Sequence, residues 1–110
     1  MKRILEICCT SLEDAKIASD NGADRIELCE DLEVGGVTPN LKLLESVLNN
    51  IALPVFVLVR PRGGHFFYHY DELDIMLASI KDVKNMGAKG IVSGALNSDK
   101  TIDSEATLKL

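Results

Sequence analysis

The sequence predicts an α/β fold in which short parallel strands alternate with helices, and three observations support this prediction. Short apolar segments are separated by amphipathic stretches with helical periodicity. Glycine or an N-capping residue stands at most of the junctions between them. The third apolar segment, residues 54–59, contains almost no polar side chain, which is typical of a buried strand in a parallel sheet.

The first two strands flank a short helix. The first strand is predicted over residues 4–8, and Thr10 or Ser11 is placed to cap the helix that follows it. That helix is expected to end before Gly22, since glycine readily adopts the left-handed conformation of a helix C-terminus. The second strand is predicted over residues 25–29 because its apolar and polar residues alternate.

The second helix is predicted between the second and third strands. Thr38 fits its N-cap, and Pro39 fits its first turn, where a missing backbone N–H does no harm. The leucines predicted to line its inner face are Leu41, Leu44 and Leu48. The third strand then follows at residues 54–59.

Two further βα units complete the pattern. Asp71 is predicted to cap a third helix that ends at Gly87. A fourth strand is predicted over residues 89–93, and Asp103 is predicted to cap a fourth helix. Four units in 110 residues correspond to roughly 27 residues a unit.

The chain therefore has the length of about half an eight-unit barrel of the TIM type, which needs roughly 200 to 250 residues. We expect residues 1–110 to form a single barrel-type domain that is truncated at its C-terminus, because the chain stops within an apparent helix. A small open parallel sheet is the competing architecture. Polar residues within the strands favour the barrel, because helices on both faces of an open sheet would bury both faces.

Composition and charge exclude several functional classes. Hydrophobic residues make up 46% of the chain and charged residues 26%, as in an ordinary globular domain. The net charge of -5 argues against binding to nucleic acid or to an anionic membrane. No stretch approaches the roughly 20 apolar residues of a membrane span. The odd number of cysteines, 3, favours a reducing cytoplasm over a disulfide scaffold.

Charged side chains occupy strand positions that should face the interior of a barrel. Strand alternation places Glu6 on one face of the first strand and Glu27 on the equivalent face of the second. Because an isolated buried charge is very unfavourable, these carboxylates need partners, and Arg25, Arg60 and Arg62 are the expected ones. The set is either an internal ion-pair network that fills the barrel or a group of catalytic candidates comprising Glu6, Glu27 and Arg60.

Two cysteines lie at the ends of adjacent predicted strands. Cys8 ends the first strand and Cys29 the second, at the edge where barrel proteins carry their sites. Parallel neighbours lie about 4.8 Å apart, so the two thiols can come close enough to share one soft metal ion. The alternative is that both thiols simply pack, as buried cysteines often do. Cys9 has the opposite parity and is expected to face a helix.

Two glycine-containing loops follow the second and third strands, and each is a candidate anion site. Arginine offers a two-pronged donor for an oxyanion, and glycine allows the backbone to approach it closely. The candidate anion-binding residues are Arg60, Arg62, Gly63, Gly64, Gly35 and Gly36. A tight structural turn is the alternative for each loop.

These segments, taken in order, resemble the N-terminal half of the CutC family, which is named for copper homeostasis. The resemblance rests on the sequences EIC at residues 6–8, GADRIELC at 22–29, GGVTP at 35–39, PVFV at 54–57 and RPRGG at 60–64. It extends along nearly the whole chain. His65 and Cys9 depart from the residues usual in the family.

The resemblance implies a βα barrel, a cytoplasmic location, formation of a homo-oligomer and binding of Cu(I). Cys8 and Cys29 fall at the family's two proposed copper ligands. The leading hypothesis is therefore a cytoplasmic copper-homeostasis protein that binds Cu(I) through these two thiolates. Two thiolates suit Cu(I), whereas Zn(II) normally takes four ligands.

Two other hypotheses remain open. The first is a barrel enzyme, similar to a lyase or an isomerase, that acts on a small anionic metabolite through interior glutamates and arginines. The second is a fragment without activity, whose open sheet edges pair with another chain.

Overall fold

The computed structural model describes residues 2–110, which form one four-stranded parallel sheet with a helix after each strand. A short 3-10 turn, Leu32–Val34, lies in the loop after the second strand. The elements are β1 (Glu6–Cys9), α1 (Leu12–Asp20), β2 (Arg25–Leu28), α2 (Leu41–Asn50), β3 (Val55–Leu58), α3 (Tyr70–Met86), β4 (Gly90–Val92) and α4 (Ser104–Lys109).

The strand order identifies the architecture. The strands lie side by side in the order of the chain, β1-β2-β3-β4, and every pair is parallel. An open doubly wound sheet reverses its strand order at a switch point, whereas a barrel adds each strand beside the previous one. The predicted half barrel of TIM type is therefore confirmed, and the open sheet is not the architecture of this chain.

The main hydrophobic core lies between one face of the sheet and the first three helices. It contains Ile26 and Leu28 from β2 and Val55 and Val57 from β3. The helices contribute the buried residues Ala15, Ala18, Leu44, Val47 and Val83. Because helices α1, α2 and α3 all pack on this face, the other residues of each strand point away from them.

Helix capping follows the prediction in some places and corrects it in others. The Ser11 hydroxyl accepts a hydrogen bond from Asp14 N–H, and Asp103 caps α4 as expected. The predicted Thr38 cap of α2 is wrong, because Asn40 accepts from Leu43 N–H instead. The Thr38 hydroxyl is already bonded to the backbone of the loop after β3.

The first turn of α3 also differs from the prediction. His69, not Asp71, is the N-cap, and its backbone N–H donates to the Glu72 side chain. Asp71 lies within the first helical turn, where a negative charge is favourable to the helix dipole. Gly87 ends the helix with a positive φ of 108°, as predicted. Across residues 2–110, no helix has both the length and the apolar character needed to cross a membrane.

Candidate functional site

A group of polar side chains lies on the sheet face opposite the main core. We call it the strand-face cluster; it comprises Glu6, Cys8, Arg25, Glu27 and Cys29. All five come from β1, β2 or the residue directly after β2. The alternation of strand side chains brings them to one face, as the sequence predicted.

The two strand-end thiols are in contact. Cys8 Sγ lies 3.1 Å from Cys29 Sγ. Cys8 is directly opposite Glu27 in the strand register, so Cys29 is its diagonal neighbour on the same face. A backbone hydrogen bond from Cys29 N–H to Cys9 C=O, 3.1 Å long, continues the ladder and fixes this approach.

The two thiols differ in their exposure. Cys8 is exposed to solvent, whereas Cys29 is 1% exposed. Burial, the hydrogen bond with Cys8 and the nearby Cys8 thiol raise the pKa of Cys29 to about 12. The Cys29 thiol is therefore protonated at neutral pH, and any metal that it binds must displace that proton.

Cys9 belongs to a different environment. It is fully buried in the main core with Ala15 and Ala18 of α1, which agrees with its predicted orientation toward a helix. Its Sγ lies 3.6 Å from the Ile7 carbonyl. Burial, followed by the negative charge of Asp14, raises the pKa of Cys9 to about 11. Cys9 is therefore a packing residue on the face away from the cluster.

The charged residues of the cluster differ in their interactions: Arg25 and Glu6 form an ion pair, whereas Glu27 is affected mainly by burial. Arg25 Nε donates to Glu6 Oε2 at 2.5 Å, and the guanidinium lies 4.4 Å from the centre of the Phe56 ring. Burial raises the pKa of Glu27, and a hydrogen bond with Glu6 and the charge of Glu6 raise it further, while Arg25 lowers it. Glu27 thus lies beside the thiols as a carboxyl group that retains its proton more readily than a solvated glutamate.

Arg60 is committed to the backbone of two loops, so the expectation that it pairs with an interior carboxylate is wrong. Its Nη1 donates to Val34 C=O at 2.7 Å and Gly36 C=O at 2.8 Å, and its Nη2 donates to Gly64 C=O at 2.9 Å. The side chain is 8% exposed and stacks over Phe66. Arg60 therefore joins the loop after β2 to the loop after β3.

Arg62 is also engaged, and its partner is Glu72 instead of Glu6 or Glu27. Its Nε donates to Glu72 Oε2 at 2.5 Å, and its Nη2 donates to Glu72 Oε1 at 3.2 Å. Its remaining donors reach the carbonyls of the same loop, including His65 C=O at 2.7 Å. The hydrogen bond from Arg62 lowers the pKa of Glu72, as does the His69 N–H.

The glycines of these loops make room for the arginine and its neighbours. A Cβ on Gly35, where φ is 89°, would lie 3.0 Å from Arg60 Nη1. A Cβ on Gly63 would lie 2.9 Å from Val34 Cβ. We call this set of contacts the loop clamp: Arg60, Arg62, Glu72 and the loop residues 34–36 and 63–64. Anion binding by its arginines and glycines stays a prediction, and the arginine donors described above already have protein acceptors.

Two contributors to these sites were not predicted. Phe56 faces the cluster because it is paired with Glu27 across the sheet, and its ring covers Gly90 on β4, where a Cβ would lie 2.6 Å away. Strand alternation is the signal that could have identified it. Glu72 is ten residues from Arg62, and only its position three residues after His69 indicated a role at a helix N-terminus.

The donor set limits the metal chemistry available. Within residues 2–110, no group of three or more His, Cys, Asp or Glu side chains is arranged to hold a metal ion. The cluster instead offers two soft sulfur donors, Cys8 and Cys29. Two thiolates are a donor set suited to Cu(I), and they do not provide the four ligands of a structural zinc site.

Comparison with known proteins gives the family. A family profile described as "CutC family" matches residues 3–110. The chain belongs to the CutC family. It is 46% identical over 107 residues to the human "Copper homeostasis protein cutC homolog", and 48% identical over 100 residues to a CutC protein of Salmonella paratyphi B. These alignments cover 97% and 91% of the chain.

Solved structures show the same fold. The crystal structure of a CutC protein from Streptococcus agalactiae, named for copper homeostasis, superposes with a TM-score of 0.89 at 35% identity, covering 98% of this chain and 53% of that one. An N-acetylmannosamine-6-phosphate 2-epimerase from Clostridium perfringens matches with a TM-score of 0.55 at 21% identity, covering 84% of this chain and 37% of that one, which shows likeness of fold alone. The chain spans 39% of the human relative and 40% of the Salmonella relative.

Proposed function

We propose that this CutC family chain serves copper homeostasis in the cytoplasm by binding one Cu(I) ion between the thiolates of Cys8 and Cys29. The observation that carries the proposal is the 3.1 Å contact between the two sulfur atoms. Soft sulfur donors select Cu(I) over hard cations. The name of the human relative, "Copper homeostasis protein cutC homolog", supports copper as the relevant metal.

The observed spacing defines what binding requires. A metal–thiolate bond is about 2.3 Å long, so a linear two-thiolate site separates its sulfur atoms by about 4.6 Å. The thiols are 3.1 Å apart, and they must therefore separate by more than 1 Å to take the ion between them. Cys8 is exposed and can rotate outward, whereas Cys29 is fixed in a buried position.

The remaining cluster residues differ in what they offer the site. Arg25 lies on the same face, but its charge is paired with Glu6. Glu27, opposite Cys8, is a nearby acceptor for the protons that the thiols release when the metal binds. Neither residue needs to contact the ion.

An anaerobic Cu(I) titration against a competing chelator tests the proposal. The purified chain should bind one ion, and Cys8→Ser or Cys29→Ser should each weaken binding by about 100-fold or more, since either change leaves a single sulfur donor. Cys9→Ser is the matched control and should leave the affinity unchanged, because Cys9 lies on the other face of the sheet. Binding that survives the loss of either strand-end thiol would refute the proposal.

The homo-oligomer follows from the resemblance and is part of the same proposal. Among residues 2–110, β1 and β4 each pair with one strand of the sheet and leave one edge free for another strand. Such edges pair readily with a second chain or with a further segment.

A second candidate function is a barrel enzyme that acts on a small anionic molecule. The raised pKa of Glu27 favours it, because a carboxyl group that holds its proton more tightly than a solvated glutamate is better suited to general acid catalysis. Arg25 is the cluster residue available to hold the anion, since Arg60 and Arg62 donate to loop carbonyls and to Glu72. If copper affinity proves independent of both thiols, this function takes priority.

A further inference from the structure

We infer that Cys8 and Cys29 are a peroxide-sensitive pair that closes into a reversible disulfide between β1 and β2. This inference concerns oxidation of the copper-free chain, and it holds or fails independently of copper binding. The two thiols already touch, with their sulfur atoms 3.1 Å apart. A disulfide bond is about 2.05 Å long, so closure requires a relative movement of only about 1 Å.

The two thiols have different surroundings, which indicate that Cys8 reacts with the oxidant and that Cys29 then attacks the oxidised Cys8. Cys8 is exposed, so a small oxidant in solvent reaches its sulfur directly. Cys29 is 1% exposed and is held next to Cys8 by the strand ladder, so it is protected from the oxidant and positioned to attack Cys8. Redox-sensitive cysteines characteristically combine an accessible thiol with a neighbouring resolving thiol.

The chemistry balances with hydrogen peroxide as the oxidant. The Cys8 thiolate attacks one peroxide oxygen, the O–O bond breaks, and Cys8 becomes a sulfenic acid while the second oxygen leaves as water. The Cys29 sulfur then attacks the Cys8 sulfur, forming the S–S bond and expelling the hydroxyl oxygen as a second water. Two thiols lose two electrons and two protons in total, and one peroxide is reduced to two waters.

Cys9 is the internal comparison for this reaction. It is adjacent to Cys8 in sequence, yet it is fully buried on the opposite face, with its sulfur directed at the Ile7 carbonyl. The strand geometry therefore predicts that Cys8 joins the distant Cys29 and not its sequence neighbour. The expected consequence is a cross-link between β1 and β2 that also removes both sulfur donors from any metal.

The test treats the reduced, metal-free chain with hydrogen peroxide, quenches it and maps its peptides by mass spectrometry without reduction. The expected product is a monomer lighter by two hydrogens, with the peptides of Cys8 and Cys29 joined, and dithiothreitol should restore the original mass. Cys9→Ser should form the same cross-link at the same rate. Because the cross-link restrains the unfolded chain, the oxidised form should also melt at a higher temperature than the reduced one.

The variants distinguish this pair from unspecific oxidation. Cys29→Ser should leave a sulfenic acid on Cys8, detected as a dimedone adduct, and Cys8→Ser should react at least tenfold more slowly. A Cys8–Cys9 link, a Cys8–Cys8 link between two chains, or equal oxidation of all three cysteines would overturn the inference. Copper binding by a chain that forms no disulfide would refute this inference alone, and a disulfide in a chain that binds no copper would refute only the copper proposal.

Discussion

The strand-face cluster and the loop clamp both contain arginine and glutamate, yet they use these residues in opposite ways. In the clamp, Arg60 and Arg62 donate to carbonyls and to Glu72, and that carboxyl has a lowered pKa. In the cluster, Glu27 has a raised pKa and Cys29 retains its proton. In the clamp, the charged side chains are paired with protein partners. In the cluster, a carboxyl and a thiol have raised pKa values, which is typical of groups that exchange protons in functional sites.

This contrast separates structural from chemical roles among residues of the same type. An arginine whose Nη groups donate to fixed carbonyls has little capacity left for a ligand at those atoms, because a bound anion must compete with those acceptors. A carboxyl or thiol whose pKa is raised by burial contributes little to stability at neutral pH and is typical of sites that bind or react. Replacing the carboxyl of each region, Glu72 or Glu27, by an amide should therefore change stability at neutral pH in opposite directions.

The largest effect is expected for Arg60→Met. The change leaves the carbonyls of Val34, Gly36 and Gly64 without their donor, and each unsatisfied acceptor costs about 1 kcal/mol or more. We expect a loss of about 3 kcal/mol in the free energy of unfolding, measured by urea denaturation. Arg60→Lys should recover part of this loss, since an ammonium group keeps the charge and some of the hydrogen bonds.

Arg25→Met is the matched control from the strand-face cluster. Arg25 has one carboxylate partner and one aromatic contact, and its side chain is 36% exposed. Its replacement should cost about 1 kcal/mol or less. Equal losses for the two arginine variants would show that the clamp is no more dependent on its arginine than the cluster is.

A smaller effect with a defined pH dependence is expected for Glu72→Gln. Arg62 holds the pKa of Glu72 below its ordinary value of 4.5, so the ionised carboxylate stabilises the folded chain above that pH. The variant should be less stable than the parent at neutral pH. The difference should shrink as the pH falls below 4.5 and through the lowered pKa, which thermal melts between pH 3 and pH 7 would record. A difference in stability between variant and parent that does not vary with pH would show that the ion pair of Glu72 with Arg62 does not stabilise the folded chain.

The sequence predicted the elements of the fold and the contact between the thiols for the same reason. Strand alternation is local, and parallel strands bring residues at the same end to the same edge, so Cys8 and Cys29 meet without any knowledge of the loops. Helix ends were less predictable. Thr38 and Asp71 are good capping residues, but the Thr38 hydroxyl bonds to Arg60, and His69 takes the cap at α3.

The loop clamp could not be predicted because its contacts are not local. The acceptors of Arg60 are backbone carbonyls 26 and 24 residues before it and four residues after it. Every residue has a backbone carbonyl, so these acceptors leave no mark in the sequence. The sequence therefore could not distinguish an arginine that donates to carbonyls from one whose donors are free to bind an anion. The pattern Arg-Pro-Arg-Gly-Gly is compatible with both, and only the folded path of the two loops decides between them.

The smallest effect, and the one with the opposite sign, is expected for Glu27→Gln. Burial and the neighbouring Glu6 raise the pKa of Glu27 above its ordinary value of 4.5, so the folded chain holds this proton more tightly than the unfolded chain does. The contribution of Glu27 to stability is therefore highest below pH 4.5 and is lost as the pH rises through the raised pKa. Glutamine resembles the protonated form and removes that loss.

The Glu27→Gln variant should thus be more stable than the parent at neutral pH and equal to it in acid, whereas Glu72→Gln should be less stable at neutral pH and should likewise converge in acid. The same thermal melts record both variants. If Glu27→Gln instead destabilises the chain at neutral pH, Arg25 outweighs burial and Glu6, and Glu27 is a structural ion-pair partner like Glu72. A gain in stability would mean that the chain carries a carboxyl beside its two thiols at a cost to folding, which is the signature of a group retained for chemistry.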